Sequence, residues 1–104
     1  MSRGPDAATL LERALIAGAQ AAGCPVTVAH ADLTRWASAT FTGARHMLTL
    51  AATASPALER WIADLPEAEF ALRGHLVADL SVEAVRREGA DVTVMLEILT
   101  VEER

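Results

Sequence analysis

A chain of 104 residues with 52 % apolar content is sized for one domain around one core. All nine basic residues are Arg, and with no Lys the chain excludes Schiff-base chemistry, a P-loop lysine and a Ser–Lys dyad. The single Cys24 excludes an internal disulfide and any CxxC-type zinc or redox site. A net charge of −5 argues against nucleic-acid phosphate as a partner.

The first residues, Met1-Ser2-Arg3-Gly4-Pro5-Asp6, lead into no uninterrupted apolar run, because Glu12, Arg13 and Gln20 interrupt Leu10 to Ala22. The expectation is a cytoplasmic protein that does not engage a membrane. The 22 Ala are a compositional skew without functional message. A mean hydropathy of +0.26 is high for so small a monomer. It calls for an Ala-rich core or an apolar surface covered by a partner.

The first helix is expected from Thr9, where Thr9-Leu10-Leu11-Glu12 fits a capping box. Leu11, Leu15, Gly18 and Ala22 recur at helical spacing, and Gly23 with Pro25 ends the run. Cys24, at the negative end of that helix, reads as a small buried filler and a poor nucleophile. A strand from Pro25 to about Trp36 follows. A turn at Thr42-Gly43 then leads to a return strand through His46, Leu48, Leu50 and Ala52. Ala37 to Phe41 fits strand, bulge or loop equally.

A second, shorter helix opens at Ser55 with Pro56 at its first position, carries Leu58, Trp61, Ile62 and Leu65 on one stripe, and stops at Pro66. Phe70 to Val82 alternates as a long strand, with Phe70, Leu72, Gly74, Leu76, Ala78, Leu80 and Val82 inward. Arg86 to Asp91 makes a hairpin tip with Gly89 at positive φ, and Val92, Val94, Leu96 and Ile98 return along the inner face. Both ends, Met1 to Pro5 and Glu102 to Arg104, are expected to fray.

The halves echo each other. Leu11-Glu12-Arg13 recurs as Leu58-Glu59-Arg60 and Ala31-Asp32-Leu33-Thr34 as Ala78-Asp79-Leu80-Ser81, both 47 residues on, while Gly43-Ala44 recurs as Gly89-Ala90, 46 on. The implied fold is a single-domain α+β two-layer sandwich of tandem αββ units, spanning about 9–53 and 55–101. Four antiparallel strands carry two helices on one face. A pseudo-twofold allows either the first or the second strands to meet at the centre.

The other face then holds Val26, Val28, His30, Asp32, Thr34 and Trp36 from the first strand, and Arg45, Met47 and Thr49 from the second. Arg73, His75, Val77, Asp79, Ser81 and Glu83 join from the third, and Met95, Glu97, Leu99 and Val101 from the fourth. Apolar residues with polar punctuation are the make-up of an interface, although a half-solvated sheet has scattered apolar residues too. His30 and Asp32 lie about 7 Å apart by Cα on that face, within reach of one metal or one water. Two ligands do not make a site, and the third would have to be His75. His75, Asp79 and Ser81 are too far apart along one strand for a triad. Arg45 can pair with Asp32 across the hairpin, Trp36 is the better aromatic contact candidate, and His46 falls inward as a core or rim side chain.

Three functions are open. The first is a non-enzymatic homodimeric binding or scaffold module using the outward face. The second is a small-molecule-binding module with polar contacts from His30, Asp32, Trp36, Arg45, His75 and Asp79. The third is a metal-assisted hydrolase using His30, Asp32 and His75. No cofactor is expected.

Overall fold

Both helices begin at a side-chain cap. The computed structural model describes residues 6–103, and its first helix, α1 (Ala7–Ala21), is capped by Asp6, whose Oδ1 accepts a hydrogen bond from the Thr9 backbone N–H at 2.9 Å. The cap is therefore Asp6, three residues before the expected Thr9, because a carboxylate satisfies a free N–H at a helix start better than a hydroxyl. α1 ends in a Schellman turn: Cys24 N–H donates to Ala19 O, Gly23 N–H donates to Gln20 O, and Gly23 takes φ 84°. The second helix, α2 (Pro56–Asp64), is capped by the Ser55 hydroxyl, as expected, and passes into a single 3-10 turn (Leu65–Glu67) at Pro66.

Four strands follow the expected αββαββ order: β1 (Val26–Ala37), β2 (Thr42–Thr53), β3 (His75–Glu88) and β4 (Asp91–Glu102). They form one antiparallel sheet in the order β1-β2-β4-β3, so the second strand of each unit meets its counterpart at the centre. Leu11 and Leu15 of α1 and Leu58 and Ile62 of α2 are buried, the same 47 residues apart, and all pack into one core with Leu48, Leu50, Val94, Leu96 and Ile98. Both helices therefore cover one face of the sheet. On α1 the third buried position is Ala19 rather than Gly18 or Ala22. Gly18 instead faces the Trp61 indole of α2, whose Nε1 would be in ordinary contact, at 3.8 Å, with a Cβ placed there.

The central pair β2·β4 runs without a bulge, whereas both edge strands are bulged: β1 between Val28 and His30, β3 between Val77 and Asp79 and again between Val82 and Ala84. A bulge on an edge disturbs one ladder, and one in the centre would disturb two. Each bulge reverses the inward–outward parity of the strand beyond it. That reversal corrects three expectations. Val26 and Val28 oppose Ala52 and Leu50 and face the helices, Val77 opposes buried Thr100 and does the same, and Leu76 opposes Val101 on the outer face, where it is 54 % exposed. Leu80 is buried as expected.

Three boundaries also move. The first hairpin turns over Ser38–Phe41, where Ser38 Oγ accepts from the Phe41 N–H at 3.0 Å, and Gly43 lies inside β2. The Gly43/Gly89 match is thus not structural, since Gly89 (φ 60°) sits at the β3–β4 turn. Residues 70–74 lead into β3 as a loop, with Phe70 and buried Leu72 still packed on the core. At the C-terminal end Glu102 belongs to β4 and Glu103 N–H donates to Gly74 O at 2.9 Å, so the expected fraying does not begin there; Met1–Pro5 and Arg104 lie outside the described residues.

Two stability measurements follow from this geometry. Leu80→Ala should cost about 2–5 kcal/mol in denaturant melts, and Leu76→Ala less than about 1 kcal/mol, because only the first empties a core site. Gly→Ala in a strand ordinarily stabilises by about 0.5–1 kcal/mol. At Gly43 a Cβ would collide with the Thr100 carbonyl oxygen and come within 2.6 Å of the Trp36 ring. Gly43→Ala should therefore destabilise, by about 1–3 kcal/mol; a stabilised variant would show that the indole does not rest on this glycine.

Candidate functional site

The ladders arrange the outer face in rows running across the sheet from β1 to β3. They are Trp36, Gly43, Val101, Leu76; Thr34, Arg45, Leu99, Asp79; Asp32, Met47, Glu97, Ser81; and His30, Thr49, Met95, Ala84. The two central strands contribute Met47, Met95, Leu99 and Val101, and the edges contribute His30 and Asp32 on one side and Asp79 and Ser81 on the other. The same central strands also carry Arg45, Thr49 and Glu97, and the edges carry Trp36 and Leu76, so the face interleaves apolar and polar residues, with Met47, Met95, Leu99 and Val101 along its middle. At one end the Trp36 indole lies over Gly43, with its Nε1 buried and without a hydrogen-bond partner.

Three pairs of polar side chains form locally on this face. His30 Nε2 and Asp32 Oδ2 are 2.9 Å apart, both side chains well exposed. Arg45 Nε pairs with Glu97 Oε2 at 2.9 Å on β4, not with Asp32 across the hairpin as expected. Glu97 is the partner because β2 has a neighbour on both sides and β4 places a carboxylate one row away. Ser81 Oγ donates to Glu83 Oε2 at 2.7 Å on the β3 edge.

His75 is not on this face. It opposes Glu102 one step before Leu76 and Val101, so it shares the helix side with Val77. His30 and Asp32 are on β1 and His75 is on β3, at opposite edges of the sheet and on opposite faces. The three do not converge, and the described residues contain no cluster of three or more His, Cys, Asp or Glu side chains able to hold a metal ion. Arg73 likewise leaves the outer face, because it lies in the loop before β3.

A second feature was not visible in the sequence. Between the start of α1 and the helix-side surface of the sheet lies an open cavity of about 800 Å³. Asp6, Ala7 and Leu10 line it from α1, Leu33 and Arg35 from β1, Ala44 and Thr100 from the central strands, and Arg73, Gly74 and His75 from the β3 side. Under it His46 is 1 % exposed, with Nε2 2.9 Å from Thr100 Oγ1. The Thr100 hydroxyl donates in turn to Ala44 O at 3.5 Å. That direction makes Thr100 Oγ1 the acceptor for the His46 Nε2–H.

Burial lowers the His46 pKa from its ordinary 6.5, and the nearby His75 lowers it further. The Asp6 carboxyl is lowered chiefly by its bond from the Thr9 N–H. Cys24 is buried and its thiol is raised by desolvation, consistent with a core filler. Arg87, on the helix side near the end of β3, forms a two-pronged pair with Glu59 of α2. No described helix is long and apolar enough to cross a membrane. The chain matches no protein-family model, no curated protein and no solved structure.

The His46 shift has a measurable consequence. A base whose pKa is lower folded than unfolded takes up protons on unfolding, so its contribution to stability is complete above pH 6.5 and is lost as pH falls through the folded value. Urea melts should give a constant stability from pH 8 to about 7, then a decline toward pH 5 of at most about 1.4 kcal/mol per pH unit from this group. His46→Gln should flatten that decline. The Asp6 contribution lies in a separate window, because a lowered carboxyl loses its stabilisation only below about pH 4. An unchanged slope in the variant would mean that His46 is not held neutral in the fold.

Proposed function

We propose that this protein is a homodimeric binding or scaffold module whose subunits associate through the outer face of the sheet. The observation that carries the reading is the make-up of that face, on which Met47, Met95, Leu99 and Val101 of the central strands are joined by Trp36 and Leu76 at one end and interrupted by Thr49 and the Arg45–Glu97 pair. Association interfaces likewise combine apolar area with paired polar groups. Both helices lie on the other side, so nothing in the chain's described residues covers it.

The area supports a second copy as the occupant. Four strands of at least 12 residues span about 750 Å² at ordinary strand spacing and rise. A standard interface buries about 800 Å² on each partner. Charge supports it too. The Arg45–Glu97 pair near the centre is closed and neutral, so burying it leaves no uncompensated charge. A single chain most often covers such a patch by closed twofold pairing, which presents the same face from both copies.

Sedimentation velocity on the wild-type chain at about 100 μM should give a dimer, and Met95→Glu should give a monomer with an unchanged circular-dichroism spectrum, because Met95 projects away from the core. A wild-type monomer at that concentration, or a Met95→Glu dimer, overturns the reading.

A further inference from the structure

We infer that the cavity beneath the start of α1 is a binding site for a small amphipathic carboxylate. The volume, about 800 Å³, is in the range of small-molecule sites. Its polar groups include two guanidinium donors. Arg35 and Arg73 line it from separate elements, and neither is within ion-pair or side-chain hydrogen-bond distance of another described residue, Arg35 meeting the Asp6 carboxylate only at longer electrostatic range. His75 adds a buried Nδ1 with no partner, which donates or accepts according to the ring's tautomer. Of the two carboxylates present, Asp6 is already engaged as the cap of α1, which leaves Glu102 as the one without a bonded partner among the described residues.

Two guanidinium groups supply planar N–H forks matched to a carboxylate, and a surplus of unpartnered donors selects an acceptor-rich ligand. The apolar wall selects the rest of the molecule. Leu33 faces the helix side opposite His46, yet it is 42 % exposed, because the cavity stands where a helix would otherwise cover it. Leu10 of α1 lines the same space, with Ala44 at its floor. An alkyl chain on Leu10 and Leu33, with its carboxylate between Arg35 and Arg73, satisfies both halves.

Octanoate is the probe. Titration calorimetry with octanoate, octanol and octylamine should show binding by octanoate, and at least tenfold weaker binding by the other two. Methyl resonances of Leu10 and Leu33 should shift on addition of octanoate. Arg35→Ala/Arg73→Ala should weaken octanoate at least tenfold, and Arg35→Lys/Arg73→Lys should recover part of that loss, since Lys keeps the charge without the fork. Both arginines are exposed, and an unchanged melting temperature of each variant verifies its fold. The site is on the face opposite the proposed dimer interface, so Met95→Glu should bind octanoate as the wild type does, whatever its oligomeric state. No binding by octanoate, equal binding by octanol or octylamine, or full affinity in the double-alanine variant would each overturn the inference.

Discussion

The bulge-free pairing of β2 with β4, from Gly43 opposite Val101 to Thr53 opposite Asp91, sets which side of the sheet every other residue occupies. Along it His46, Leu48 and Leu50 face Ile98, Leu96 and Val94, and all six are at most 3 % exposed. A slip of one residue would carry that entire set to the outer face and bring Met47, Thr49, Met95 and Glu97 under the helices. The register is therefore specified by the core itself. The edge strands, bonded on one side only, absorb the remaining misfit as three bulges, and the helices close over what the central pair presents.

This division explains how far the fold was legible. β4 alternates without interruption because it is central, and Val92, Val94, Leu96 and Ile98 are all buried as the sequence pattern implies. The helix starts and stops were legible to within a few residues through Ser55, Pro56, Gly23 and Pro66, since each has a local physical role that a single residue type serves. The bulges were not. Ala29, Ala78 and Glu83 have no side-chain property that marks an extra residue in a strand, and in an Ala-rich chain the positions on either side carry little parity information. Leu76 and Val77 were consequently exchanged between faces, while Leu80, only three residues later, was placed correctly.

The candidate residues divide along the same line. His30, Asp32, Trp36, Arg45 and Asp79 are on the outer face because each follows the bulge of its strand or belongs to a strand without one. His75 precedes the bulge of β3 and so falls on the other side. The cavity was out of reach for a different reason. Arg35 reaches it from one edge of the sheet and His75 from the other, with Arg73 in the loop just before β3. Their convergence depends on strand order and on where α1 begins, neither of which a local pattern encodes.

The two faces are joined by the backbone that separates them. Arg45 and His46 are consecutive, as are Leu99 and Thr100; in each pair the first projects to the outer face and the second toward the helices. The Arg45–Glu97 ion pair and the His46–Thr100 hydrogen bond therefore brace the same stretch of β2 and β4 from opposite sides. At the end of that stretch a Cβ on Gly43 would meet both the Trp36 ring and the Thr100 carbonyl, which is why no side chain stands there. A side chain at position 43 would have to displace either the indole on the outer face or the β2–β4 pairing on which the inner face is built.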